Sequence, residues 1–505
     1  MKKICKDIFT ALNREKIAYC HFKSNKYLDD GLEGTTDLDV LVASDDYNDF
    51  IRIITSYGFK KFEPNEFCKY PGVTNWYCVD IESGIIIHIH LHTHLITGKS
   101  LIKDYIIPWE DAVLHYSHES DQIIKIDDAE IELLLLFVRL VVKRSSKERI
   151  KSNGSDAFIP EDEWTELLYL RGIIDRNKVK KIYYDLFGED SYLKYCQMIL
   201  EDDPIPLSTF REFERFIRKK YNNNRRMSSV KAEFLSFLYR ARRKVYIFSN
   251  QKLNTVLPVK KRCINKGPIF AFIGIDGSGK STMIKEITDW LGEEFDVKKF
   301  YLGAGQENSS VVAKVLIGIY QSSVEKHEGV ASTESNMTRS KVSNSTLKDL
   351  VKAYFASFTY LMIAKSNYKS LKKAVKLSNN GGIALCDRIP QSDLEIVHDG
   401  MKVQRYERAF NKSICISYMA KRERDIFDRI NSIKSNLYIV RMNVDPEVSY
   451  ARKTENEKDA SERRSKANTL RTIRYENANK VYDINCNIDY ADVLLSIKKT
   501  VWEAM

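Results

Sequence analysis

The chain has 505 residues, longer than one ordinary core accommodates, so its length favours about three units of common size. A hydrophobic fraction of 43% with 11% aromatics excludes wholesale disorder, and nine cysteines that fall singly, with no C-x-x-C pair, exclude a disulfide framework and fit reduced thiols in a cytoplasmic protein. The net charge of +11 is concentrated: between Arg211 and Arg262 stand 16 Lys or Arg against 3 Glu, a larger excess than the entire chain carries.

The opening residues Met1-Lys2-Lys3-Ile4-Cys5-Lys6-Asp7 lack the apolar stretch of a signal peptide. Residues 1–126 mix short strands and helices in an α+β pattern. Asp37 to Val42 reads as a strand, and its Asp37 and Asp39, at i and i+2, share one face and suit Mg²⁺. Trp76 to Ile81, a turn at Glu82-Ser83-Gly84 and Ile85 to Leu95 read as a hairpin. Along it His88, His90, His92 and His94 alternate, which puts them on one strand face. Adjacent pairs there suit Zn²⁺ or Mn²⁺; the alternative is a polar sheet face whose histidines bond to their neighbours.

From Asp127 the apolar spacing turns helical, and residues 127–255 read as a helical domain with Asp127 or Asp128 at its first N-cap. The run Ile131 to Val142, interrupted by Glu132 and Arg139, is too short to span a bilayer and reads as a buried helix. The basic segment 211–262 suits nucleic acid or an anionic membrane surface. Its Phe213, Phe216, Phe234, Phe237 and Tyr239 follow helical spacing suited to packing, which favours a solvated helical face and a basic linker over a binding stripe. Residues 256–267, with Pro258 and Lys260-Lys261-Arg262, read as a basic linker.

In residues 268–505, apolar strands at Ile269 to Ile273, Val297 to Leu302, Gly382 to Cys386 and Leu437 to Met442 alternate with helical segments, the rhythm of an α/β unit with a parallel sheet. After the first strand comes a complete G-x-x-x-x-G-K-[ST] loop, Gly274 to Ser281, opening a helix. Gly274, Gly277 and Gly279 let backbone N–H groups converge on phosphate oxygens at a helix N-terminus. Asp276, Ser278 and Thr282 complete the nucleotide-binding stretch. Lys280 reaches the β and γ phosphates and Ser281 places its hydroxyl on Mg²⁺, so ATP or GTP is the expected ligand. The strand ending in Asp387-Arg388 supplies a carboxylate for Mg²⁺ and a planar fork for a second anion. Gln321 to Ser345 is a long polar stretch, and Arg452-Lys453 through Arg463-Arg464 is a charged segment suited to a closing lid or to a solvated helix connection.

Taken together, Gly274 to Thr282 and Cys386-Asp387-Arg388-Ile389-Pro390-Gln391 resemble thymidylate kinases and related P-loop nucleoside monophosphate kinases, over about half the chain. The resemblance implies ATP and Mg²⁺ as cofactors, Asp276 near the acceptor sugar, Arg388 on the acceptor phosphate, and the lid arginines Arg463 and Arg464 on the transition-state charge. Tyr301-Leu302-Gly303-Ala304-Gly305 departs from the Arg-Glu-Pro type of acceptor loop. The N-terminal Gly34-Thr35-Thr36-Asp37-Leu38-Asp39 resembles the signature of the nucleotidyltransferase superfamily, with His90 where a third carboxylate is expected, which implies a degenerate or reassigned metal site. The expected function is phosphorylation of a nucleoside monophosphate. The alternatives are a nucleotide-sensing regulatory ATPase, in antiviral defence or a polysaccharide cluster, and an active nucleotidyltransferase; the pattern leaves room for a homodimer.

Overall fold

The computed structural model describes residues 1–144, 159–188, 192–203, 205–303, 347–391, 400–433, 435–452, 459–473 and 475–505. The polar stretch Gln321 to Ser345, Ala304 and Gly305, and Lys453 lie outside the described residues. The chain divides into two compact units, Met1–Lys261 and Arg262–Met505.

The first unit carries strands β1 (Tyr19–His21), β2 (Leu38–Val42), β3 (Lys60–Glu63), β4 (Val73–Val79), β5 (Ile86–His92), β6 (Leu95–Thr97), β7 (Tyr105–Ile107), β8 (Ser117–Glu119) and β9 (Lys125–Asp127). Its mixed sheet runs β3-β4-β5-β2-β1-β9-β8, with β6 and β7 paired separately. β4 and β5 form an antiparallel hairpin, whereas β5 lies parallel to β2 with His90 opposite Asp39. Paired residues point to one face, so this register brings the Asp37-x-Asp39 strand against the histidine strand. Val40, Ile87 and Ile89 point the other way, into a core with Phe9, Leu12, Phe50 and Ile54.

The helix Ala129–Lys143 is apolar on nearly every side, and Leu133 through Val138 are buried. A helix apolar all round needs a jacket of other helices. Tyr183, Phe187, Phe210, Phe213 and Ile217 provide it from Arg176–Phe187 and Leu207–Lys220. The aromatic spacing of the basic segment splits in two here. Phe213 is fully buried, but Phe234 and Phe237 on the helix Ser229–Lys252 are 63% and 66% exposed, against the packing expectation. That helix packs through its opposite face, where Ala232 and Ser236 are buried and Tyr239 and Tyr246 meet Phe67.

The second unit opens with the two-residue β10 (Arg262–Cys263) and carries β11 (Ile269–Ile273), β12 (Val297–Tyr301), β13 (Ile383–Asp387), β14 (Leu437–Asn443) and β15 (Lys480–Asn485). Its five-stranded sheet, in the order β12-β13-β11-β14-β15, is parallel throughout. β11 and β13 are buried at every position, as parallel strands covered on both faces are. The chain builds β12 and β13 on one side of β11, then crosses to β14 and β15. Side chains at the C-terminal ends of β11 and β13 therefore border the crevice where this fold class binds ligands. Among the described residues no helix is long and apolar enough to cross a membrane.

Candidate active site

β11 ends at Ile273 and the helix Lys280–Gly292 begins seven residues later, so the glycine-rich loop is the turn between a buried central strand and a helix N-terminus. Gly279 is the N-cap with φ +86°, a left-handed conformation that side chains with a Cβ adopt at a cost. The N–H groups of the first helical turn lack intrahelical acceptors, and together with the macrodipole they favour an anion at this end. Lys280 is buried and folds back over the loop, its Nζ donating to the carbonyls of Gly274 (2.9 Å) and Ile275 (2.8 Å).

Two residues at the end of β13 reach the same loop. The Ser281 hydroxyl donates to Asp387 Oδ2 at 3.0 Å, and Asp387 is buried. Arg388 donates from Nη2 to Asp276 Oδ1 at 2.9 Å. Arg388 sits at φ +70°, an uncommon conformation for a side chain of its size, and its own N–H donates to Phe272 O at 3.0 Å. Strain of this kind persists where the surroundings over-determine it, and here it aims the guanidinium across the strand ends. Gly303 fits that arrangement, since a Cβ there would come within 2.8 Å of Arg388 Cδ. Burial, then Asp387, pushes the neighbouring Cys386 thiol up to about 12, so it stays neutral beside the carboxylate.

The sequence-predicted residues therefore fall into two groups. Gly274, Asp276, Gly277, Ser278, Gly279, Lys280, Ser281, Asp387 and Arg388 gather around one loop, with Thr282 exposed beside Ser281. Arg464 is instead exposed on the helix Asp459–Thr472 and pairs with Glu447 at 2.7 Å, and Arg463 belongs to the same helix. Sequence reading missed two supports, Ser449 and Asn367. Ser449 is fully buried and its hydroxyl donates to the Asp276 carbonyl. Asn367, on the long helix Leu347–Asn379, donates to Leu302 O at 2.9 Å. Arg452 donates to Cys486 O at 3.0 Å; burial raises the Cys486 thiol to about 11, while Arg452 and Lys280 pull against that rise.

A second polar centre occupies the first unit. Asp39 Oδ1 lies 2.8 Å from Lys23 Nζ, 3.1 Å from His90 Nδ1 and 3.3 Å from His92 Nε2. Burial opposes the ionised carboxylate, but Lys23, His90 and His92 outweigh it and hold Asp39 well below the usual range. Burial, then His90, drives His92 down to about 3, so its imidazole is neutral. Asp37 is more exposed, with Oδ2 3.8 Å from His90 Nδ1. The four alternating histidines do not act as a set. His88 stacks on Tyr77 and bonds to Asn75 Oδ1 at 3.1 Å, and His94 lies beyond β5 beside Glu110, so His90 and His92 alone reach Asp39.

No family model matches the chain. Two curated Escherichia coli proteins, from strain K12 and strain O6:H1, both titled "Uncharacterized ATP-binding protein YghR", are 25% identical to it over 236 residues. The similar stretch is 46% of this chain and 86% of each of those proteins.

Proposed function

We propose that the chain binds ATP and that its Arg262–Met505 unit is a phosphotransferase acting on a nucleoside monophosphate. The observation that carries the reading is the Ser281–Asp387 pair, a hydroxyl and a carboxylate 3.0 Å apart at the mouth of a phosphate-binding loop. The ATP-binding title of the two Escherichia coli relatives and the resemblance to thymidylate kinases support it.

Two oxygen donors of this kind suit a hard cation, so Ser281 and Asp387 would hold Mg²⁺, whose charge offsets that of the donor phosphates. Lys280 exchanges its loop carbonyls for β and γ phosphate oxygens. Arg388 leaves Asp276 for the acceptor phosphate, and Asp276 is then released toward the acceptor sugar. An acceptor phosphate oxygen attacks the γ-phosphorus as the bond to the β–γ bridging oxygen breaks, with ADP as leaving group. Positioning and electrostatics supply most of the acceleration in such a transfer. Arg463 and Arg464 contribute only if their helix closes over the phosphates.

A nucleotide-binding regulator is the second reading, favoured by Tyr301-Leu302-Gly303, which brings neither a carboxylate nor a guanidinium to the acceptor side. Incubating the full chain with ATP, Mg²⁺ and each ribo- and deoxynucleoside monophosphate separates the two. Transfer to one monophosphate that disappears in Lys280→Ala supports the enzyme; tight binding without turnover across the panel rejects it.

A further inference from the structure

We propose that Asp39, His90 and His92 form a binding site for a divalent transition metal of the zinc class, separate from the nucleotide chemistry of the other unit. One donor atom from each of the three lies within 4.8 Å of the other two. A tetrahedral ion with ligands at about 2.0–2.1 Å sets its donors about 3.3 Å apart. Asp39 Oδ1 stands 3.1 and 3.3 Å from the two imidazole nitrogens, so the carboxylate edges of such a tetrahedron already exist.

The donor set decides which metal. Two imidazoles and one carboxylate suit Zn²⁺ or Mn²⁺ and are poor for Mg²⁺, which prefers oxygen. The ligands are also held in place by the fold. Asp39 and His90 are paired partners on adjacent parallel strands, and His92 follows two residues along the same face. The His92 ring is fixed between Phe22 and His90, with ring centres 5.0 and 4.5 Å away. Asp37, 3.8 Å from His90 Nδ1 and half-exposed, marks the open side where a fourth ligand enters.

Hydrogen bonding alone accounts for these contacts less well. One oxygen, Asp39 Oδ1, serves Lys23, His90 and His92 together. Lys23 is the competing cation. Its ammonium occupies Asp39 when no metal is present, and its flexible stem, 22% exposed, lets it withdraw when one binds.

The test uses the purified full chain without nucleotide. Elemental analysis after expression with added Zn²⁺ gives the metal content, and the chelator-treated protein is titrated with Co²⁺ and followed by its ligand-field absorption. The expected result is one equivalent of tightly held metal and a tetrahedral Co²⁺ spectrum. Affinity falls about tenfold or more in His90→Ala and in His92→Ala, is unchanged in His94→Ala, and rises in Lys23→Met. Should His92→Ala fail to fold, the more exposed His90→Ala and Asp39→Asn carry the comparison, with circular dichroism confirming their fold. A parent protein that retains no metal, or whose Co²⁺ spectrum and affinity match those of His90→Ala, overturns the proposal. Binding that weakens in Lys23→Met overturns the assignment of Lys23 as the competing cation.

Discussion

Ser281 and Asp387, 106 positions apart in the chain, meet across 3.0 Å because β11 and β13 lie side by side and end together. The parallel register aligns Phe272 with Asp387, so the residue that closes one strand faces the loop that follows the other. Under the proposed phosphotransfer, Asp387→Asn keeps the hydrogen bond to Ser281 and removes the charge. Turnover should fall ~10²–10³-fold with ATP binding reduced far less, the pattern of an interaction made chiefly in the transition state. Steady-state kinetics beside calorimetry of ATP binding read both quantities. Equal losses in the two would place Asp387 in ground-state binding only.

Arg388 sets stability against function. Its φ of +70° costs on the order of 1 kcal/mol for a residue with a Cβ. Arg388→Gly relieves that strain while deleting the guanidinium. Denaturation should show the second unit unchanged or stabilised by up to about 1 kcal/mol, while the acceptor KM rises at least tenfold. A loss of more than about 1 kcal/mol would mean that the ion pair with Asp276 outweighs the strain.

The glycine-rich loop and the Asp387-Arg388 strand end were readable in the sequence because each is a contiguous signature whose chemistry depends on neighbours a few residues away. Ser449 was not, since it touches Asp276 only through a fold that joins positions 173 apart. The histidine strand was half readable. Period two put His88, His90 and His92 on one face, but only the β2–β5 register and the Asn75 contact separate the two that reach Asp39 from the one that does not. The aromatics of the basic segment failed for a different reason. Helical spacing is the same for a buried and an exposed stripe, and the helix Ser229–Lys252 packs through small residues and tyrosines, leaving Phe234 and Phe237 outside.

That contrast has a direct measure in stability. Phe213 is fully buried against Phe137, Phe187 and Tyr195, so Phe213→Ala should destabilise the first unit by about 3–5 kcal/mol. Phe237→Ala, which removes a side chain already 66% exposed, should stay within about 0.5 kcal/mol. Urea titrations of both variants beside the parent give the two values. A large cost for Phe237→Ala would show that something covers that helix face in solution.

The pH dependence of the first unit turns on Glu132. It is buried, and Asn25 donates to it from the backbone N–H (3.0 Å) and from the side-chain amide (2.9 Å), which also donates to Asp127. Burial, then Glu166, raises Glu132 to about 7 from its ordinary value of 4.5, with Asn25 and Arg139 pulling the other way. Asp127 is raised as well, by burial and then by Glu132. A carboxyl that binds its proton more tightly in the folded state favours folding at low pH. Stability should therefore fall as pH rises from about 4.5 to about 7, by up to about 1.4 kcal/mol per pH unit for each such proton, and level off above that window. Glu132→Gln removes this proton from the balance, so its stability curve between pH 5 and 7 should be flatter by about that slope. Parallel slopes for parent and variant would mean that Glu132 is ionised in the folded protein throughout, and that Asp127 alone holds the shared proton beside Asn25.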